Sequence, residues 1–389
     1  MRQKTFFSAS LILFSLIAMA GYGQEDNPLL NIRILEKRNP QDLKVQSPPN
    51  KGPWSEIKLT RGLLTVNGKA QGTYVGGTPG STVKIKAGDL TRIYPGQITV
   101  SAVSDHWESN PSTSSGEKQT ELLILNQVSL TDYVACVTAF ESAYDSSQPE
   151  YLKALGVIVR YYALSHRHRH PNYDLCDLSH CQIYQGLPPH FDFWKNMIES
   201  GSSFTFPPSI NPQSLYFHRC CGGRLESADQ VWGGPPSLSR TGPDEFQGET
   251  LCKADPFFHW TTSTEVGNVE SVLKAMAQLS SDATLDSLTV TEKTAHGRNK
   301  TFTARFQLAD GQAQEIRENA GRFVSEFGKR YGWRVFPSLW FDVKKEGNLF
   351  RFSGHGFGHG VGLCQSGALR LAQKGWGWKE ILKFYFPAN

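Results

Sequence analysis

The 389 residues carry 20% charged and 39% apolar side chains, enough apolar material for a sizeable core in one large domain or two. A net charge of +4 spread along the chain does not argue for nucleic acid, and the densest basic cluster, His166 to His170, is too short to change that. Seven cysteines are an odd number, so disulfides cannot take them all.

At the start, Arg2 and Lys4 precede an apolar run from Phe6 to Met19 that closes on Ala18, Met19 and Ala20. This is the charge, core and small-residue order of a secretory signal. It predicts a signal peptide over 1–20 and an exported protein beginning near Gly21. No later stretch reaches 18 apolar residues, so no membrane span is expected in the mature chain. Short alternating segments (EIKLT, LLTVNG, STVKIKAG, QITVSAV), separated by Gly, Pro, Asn and Ser, predict a β-rich region over 21–119. Residues 106–119 read as a polar loop. TELLILNQVSL is a further strand, and it opens a second domain assigned to 120–389.

The first helix is expected in TDYVACVTAFESAY, with Thr131 or Asp132 as N-cap and Tyr133, Val134, Val137 and Phe140 as its apolar stripe. Glu141 falls on that stripe, four residues after Val137, where it is either a desolvated acid or a stripe-edge carboxylate reaching solvent. A second helix starts at Pro149, buries Leu152, Leu155, Val159 and Ala163, and carries Arg160 on the flank of that face. Arg160 could meet Glu141 in one groove or form a surface ion pair.

The stretch HRHRHPNYDLCDLSHCQIYQG then sets His170, Cys176, His180 and Cys181 within twelve residues. Thiolates and imidazoles this close suit a structural zinc, and a Cys176–Cys181 disulfide is the competing expectation in an exported chain. Further on, LYFHRCCGGRLESADQVWGG predicts a strand ending at His218. Cys221 with Cys252 is the preferred disulfide there, with Cys220 as substitute. Residues 262–345 read as helix, strand pair and helix, followed by a hairpin in SLWFDVKKEGNLFRFSG.

That hairpin runs into SGHGFGHGVGLCQSGA, with five glycines in the nine residues from Gly354 to Gly362. A helix would lose roughly 1 kcal/mol at each of them, so His355 and His359 are not a helical metal pair. The run lacks G-x-G-x-x-G and a Walker lysine, so it is not a phosphate cradle. If extended, it has one face of bare backbone, either the wall of a ligand groove or a tightly packed core turn. His218, His359 and Gln365 are its candidate hydrogen-bonders to a ligand. Cys364 and Ser366 lack the context of a nucleophile: Ser366 has no G-x-S-x-G elbow, and nothing orders a histidine beside Cys364.

Taken together, VSLTDYVACVTAFES, YLKALGVIVRYYAL, YDLCDLSHCQIYQG, YFHRCCGGRLESADQVW and GHGFGHGVGLCQSGALRLAQKGWGWKEILKFYFP occur in the order found in the stage II sporulation protein D family, also called SpoIID/LytB or amidase enhancer domains, and the chain resembles that family from about residue 30 to its end. The resemblance implies a cell-wall, sporulation-related protein. With the element pattern it predicts an α+β fold of mixed helices and antiparallel strands around a glycan-binding groove. It implies a lytic transglycosylase that cuts MurNAc–GlcNAc bonds of peptide-denuded peptidoglycan strands. Glu141 stands at the family's catalytic glutamate and Arg160 at its substrate-binding arginine; the Cys, His, Cys loop resembles zinc-containing members. Ser142 and Ala143 replace the family's methionine and proline after the acid, and Cys364 replaces a serine common in the family.

The implied chemistry needs a single acid, because the muramyl 6-hydroxyl attacks its own anomeric carbon and no second carboxylate has to activate water. No cofactor is required for it, zinc being structural. The expected partners are glycan strands and an N-acetylmuramoyl-L-alanine amidase. A non-catalytic glycan-binding amidase enhancer is the alternative, and a zinc hydrolase is disfavoured because four protein ligands close the metal site.

Overall fold

A computed structural model of the chain describes residues 27–104, 120–143, 145–201, 203–234 and 238–387. The signal segment and the polar loop at 106–119 lie outside the described residues. The fold is α+β, with eight α-helices and many antiparallel strand pairs among the described residues, and its N-terminal part is strand-rich. The chain separates into two units, one made of residues up to Glu141 with His166–Lys195, the other of Ser142–Ser165 with Asn196–Asn389.

The first unit holds β1 (Leu29–Arg33), β2 (Asp42–Gln46), β3 (Trp54–Thr60), β4 (Leu63–Val66), β5 (Lys69–Ala70), β6 (Thr73–Gly76), β7 (Thr82–Ala87), β8 (Leu90–Pro95), β9 (Gln97–Val103), β10 (Glu121–Ser129), helix α1 (Leu130–Glu141) and β11 (Leu175–Cys176). They form a six-stranded sheet, β5-β4-β3-β2-β7-β8, and a five-stranded one, β11-β1-β10-β9-β6. Alternation sets the faces: in β7 Val83, Ile85 and Ala87 are buried while the two lysines between them are not. Two-residue turns at Arg61-Gly62 and Asn67-Gly68, positive in φ at both positions, close the β3–β4 and β4–β5 hairpins.

Helix α1 leaves β10 without a loop. The expected one-sided stripe is absent: every residue from Leu130 to Ala139 except Asp132 is buried, and Phe140 is half-buried. A helix apolar all round lies inside a core rather than on it. Its N-terminus also differs from expectation, since Ser129 Oγ accepts from the Asp132 N–H at 3.2 Å and Asn27 Oδ1 from the Thr131 N–H at 2.8 Å.

In the second unit, α2 (Pro149–Ser165) begins at the expected proline and buries Leu152, Leu155, Val159 and Ala163. It packs against α7 (Gln365–Gln373) and α8 (Trp378–Tyr385). Helix α3 (Phe191–Glu199) spans the boundary between the units, and α4 (Ala228–Trp232) is a short helix of the second. Short strands β12 (Phe217–His218), β13 (Arg224–Leu225), β14 (Gly242–Pro243), β15 (Glu245–Phe246) and β16 (Glu249–Thr250) come next. A separate aromatic core follows. β17 (Trp260–Glu265), β18 (Thr284–Lys293), β19 (Asn299–Gln307), β20 (Ala313–Asn319), β21 (Phe341–Glu346) and β22 (Leu349–Gly354) make two three-stranded antiparallel sheets with α5 (Val266–Ala277) and α6 (Ala320–Tyr331). Phe302, Phe323, Phe327, Phe341 and Phe352 are fully buried there. β20 runs to Asn319, which caps α6 by accepting from the Arg322 N–H at 2.9 Å.

β23 (Leu363–Cys364) ends the glycine-rich run and pairs in parallel with β12, His218 opposite Cys364. No helix among the described residues is long and apolar enough to cross a membrane.

Candidate functional site

His170, Cys176, His180 and Cys181 come together in the first unit, their ligand atoms all within 4.8 Å of one another. His170 Nε2 is 3.4 Å from Cys181 Sγ, and His180 Nε2 is 3.2 Å from Cys176 Sγ. Sequence adjacency alone does not assemble this cage; β1 does. β11 pairs with β1 in parallel, Arg33 opposite Cys176, and two aspartates pin the flanks. Asp174 Oδ2 accepts from the Asn31 N–H at 2.8 Å, and Asp177 Oδ2 from the Leu35 N–H at 2.7 Å. The His170 ring stacks on Tyr173 at 4.4 Å.

Both thiols are in the free form. The hydrogen bond from Cys176, helped by His180, pulls Cys181 down to about 3, while the same contact and burial push Cys176 up. Cys181 in turn raises the His180 imidazole. Two sulfurs and two imidazoles in a cage of this size suit a tetrahedral soft cation, and all four ligands come from protein.

Two residues beyond Cys181, the Ile183 N–H donates to Glu141 Oε1 at 3.1 Å. Glu141 is the last residue of α1 and is half-buried. Next to it in the loop, Gln182 Oε1 accepts from the buried Tyr133 hydroxyl of α1 at 3.2 Å. The cysteine-histidine loop therefore anchors the candidate acid through its backbone.

Arg160, His218, His359 and Gln365 belong to the second unit. Arg160 is half-buried on α2. His218 is buried, with Nδ1 3.1 Å from the Val361 carbonyl oxygen, so that nitrogen carries the proton. His359 is half-buried and its Nδ1 accepts from the Val361 N–H at 3.1 Å. Burial and the Arg298 charge push His359 down to about 3, and burial with His359 and Arg298 also lowers His218. The two rings are 5.5 Å apart. Gln365 is buried at the start of α7.

Two residues missed in the sequence stand with them. Trp232, 52% exposed, lies 4.9 Å from the His359 ring and 4.8 Å from Tyr216. The QVW phrase carried the tryptophan, but nothing in its spacing pointed to His359.

The glycine run is not extended past Gly354. Gly356, Gly358, Gly360 and Gly362 all have φ between 74° and 98°, a region in which side chains are strained. Nor is their bare face open to a ligand. A Cβ on Gly356 would meet the Cys220 carbonyl and the Gly222 nitrogen, one on Gly360 the Arg298 guanidinium, and one on Gly362 the Tyr216 carbonyl. The glycines admit the chain's own backbone and a buried arginine, which is the packed-turn alternative.

Comparison with known proteins agrees with the motifs. Residues 118–200, which include Glu141 and the cysteine-histidine loop, match the stage II sporulation protein family. An amidase enhancer of Bacillus subtilis is 25% identical over 203 residues, 43% of this chain. Both matches support the SpoIID/LytB family as the one this chain resembles. The chain is also 28% identical over 270 residues to an uncharacterised protein of Brachyspira hyodysenteriae, a match spanning 68% of the chain and 67% of that relative. Its match to the amidase enhancer covers 28% of that protein's length.

Proposed function

We propose that this protein is an exported cell-wall enzyme of the SpoIID/LytB type, a lytic transglycosylase acting on peptide-denuded peptidoglycan in the periplasm or in the cell wall and extracellular space, with Glu141 as its single acid and base. The observation that carries the reading is the hydrogen bond from the Ile183 N–H to Glu141 Oε1, which holds a half-buried carboxyl beside a loop built like a structural metal site.

In the proposed reaction Glu141 hands its carboxyl proton to the leaving glycosidic oxygen as the bond to the muramyl anomeric carbon breaks. The muramyl 6-hydroxyl attacks that carbon, its proton passes to the Glu141 carboxylate, and the product ends in 1,6-anhydro-MurNAc. The acid is regenerated without water. His170, Cys176, His180 and Cys181 would hold a zinc ion, which supplies no chemistry to the reaction but fixes the loop carrying the Ile183 N–H. On the second unit, Arg160 and His359 are the proposed sugar-binding groups, together with the buried His218 and Gln365. The exposed Trp232 offers a ring face of the kind that sugar rings stack on.

The printed name of the Bacillus relative favours a second reading, a glycan-binding amidase enhancer without its own chemistry. One experiment separates the two. Peptidoglycan is incubated with the protein before and after amidase treatment, and the products are analysed by mass. Anhydro-muramyl ends appearing only from the amidase-treated wall support the enzyme; glycan binding with no product supports the enhancer.

A further inference from the structure

Three cysteines and an aspartate of the second unit take no part in the function proposed above. Cys221 lies between β12 and β13, Asp244 between β14 and β15, Cys252 just after β16, and Cys364 is the N-cap residue of α7. All four are essentially inaccessible, at 1% exposure or less, and their donor atoms lie within 4.8 Å of one another. Cys221 Sγ is 3.1 Å from Asp244 Oδ2 and 3.4 Å from Cys252 Sγ. A tetrahedral zinc with bonds of about 2.3 Å to sulfur and 2.0 Å to oxygen has ligand-to-ligand edges of roughly 3.5–3.8 Å, the scale of this cage.

Backbone donors reach two of the sulfurs. The Gly223 N–H donates to Cys221 Sγ and the Cys221 N–H to Cys364 Sγ, both at 3.3 Å. Such donors stabilise a thiolate more than a thiol. Tyr385 donates to Asp244 Oδ1 at 3.2 Å, which turns Oδ2 toward the sulfurs. Gly367 lets α7 approach, because a Cβ there would press on the Tyr385 hydroxyl and Asp244 Oδ2. A Cys221–Cys252 disulfide would use two sulfurs and leave Cys364 and a buried carboxylate beside it without a cation. Burying a carboxylate that way is costly, and a divalent ion removes the cost.

We propose that Cys221, Cys252, Cys364 and Asp244 bind a second zinc-class cation, separate from the cysteine-histidine loop. With four protein ligands the site is closed and structural. It ties the turn at Cys221, the Asp244 and Cys252 segments and the start of α7 into one knot.

The test uses the untagged full chain, purified after export, with Cys176→Ser and Cys181→Ser introduced to remove the first ligand set. Elemental analysis is expected to find one zinc per chain, falling at least tenfold when Cys364→Ser or Cys252→Ser is added. Zinc content unchanged by those additions overturns the proposal, and so does a Cys221–Cys252 disulfide found by non-reducing peptide mapping. Should the added substitutions prevent folding, cobalt is titrated into the folded, metal-stripped Cys176→Ser/Cys181→Ser protein. Thiolate-to-cobalt charge transfer saturating at one equivalent supports the site, and its absence overturns it.

Discussion

The backbone N–H of Ile183 holds Glu141 Oε1 at 3.1 Å, two residues past Cys181, so the sulfur of the candidate metal loop and the carboxyl of the candidate acid are joined by one short piece of chain. Removing the carboxyl while keeping its shape should therefore separate chemistry from structure. Glu141→Gln retains an oxygen for the Ile183 N–H and loses the transferable proton. Release of anhydro-muramyl products is expected to fall at least 100-fold, the usual range for a lost general acid, with the thermal unfolding midpoint unchanged. Residual release within a few-fold of wild type would remove Glu141 from the mechanism.

Breaking the loop should act on both quantities at once. Cys181→Ser is expected to lose zinc from the His170, Cys176, His180 set, to lower the unfolding midpoint and to reduce glycan cleavage, because the Ile183 anchor loosens with the loop. A chelator should reproduce these effects in the wild type and add less in the variant. Equal chelator sensitivity of the two proteins would show that this loop is not where the relevant metal sits.

What the sequence disclosed follows the range of the forces involved. Local signals were legible: Pro149 starting α2, the hairpin of β21 and β22, and the alternation of β7 rest on neighbours within a few residues. The four members of the cysteine-histidine loop were legible because they lie within twelve residues of one another. The stripe assigned to α1 misled because a fully buried helix has no polar face to set a period. The glycine run leaves groove wall and packed turn open in the sequence because its packing partners, Arg298, Tyr216 and Cys220, lie between about 60 and 150 residues away. Trp232 beside His359 and Asp244 beside three cysteines were invisible for the same reason.

The glycine run gives a stability contrast. Gly375 has φ of +88° with nothing within 4 Å of a built Cβ, so Gly375→Ala should cost only the left-handed backbone strain, about 1–2 kcal/mol. Gly360 has φ of +80° and the Arg298 guanidinium where the methyl would go, and that arginine donates to the Cys221 and Arg224 carbonyls. Gly360→Ala should be clearly the more destabilising in chemical denaturation. Equal costs would mean that Arg298 can move aside freely.

His359 makes the fold acid-sensitive in a defined direction. Its folded value lies near 3, below the ordinary 6.5, so the unfolded chain takes up a proton that the folded chain refuses. The stability contribution is whole above about pH 6.5 and is lost as the pH falls toward 3. Denaturation at pH 7 and pH 5 is expected to show a smaller loss on acidification for His359→Gln than for the wild type, and the His359 ring should give the NMR signature of a neutral imidazole at pH 5. A protonated ring at pH 5 would contradict its burial beside Arg298.

Trp232 tests the sugar-binding half of the proposal without touching the acid. Its ring is more than half exposed and meets Tyr216 and His359 at a tilt, so truncation opens no core cavity. If the ring face receives a sugar, Trp232→Ala should weaken binding to amidase-treated glycan by about threefold to tenfold, in line with roughly 0.5–1.5 kcal/mol for an aromatic contact. Cleavage at limiting glycan should drop in the same proportion while the rate at saturation stays near wild type, because the ring contributes to binding and not to proton transfer. Binding and cleavage both unchanged would leave Trp232 as an exposed aromatic with no part in recognition and move the sugar contact to Arg160.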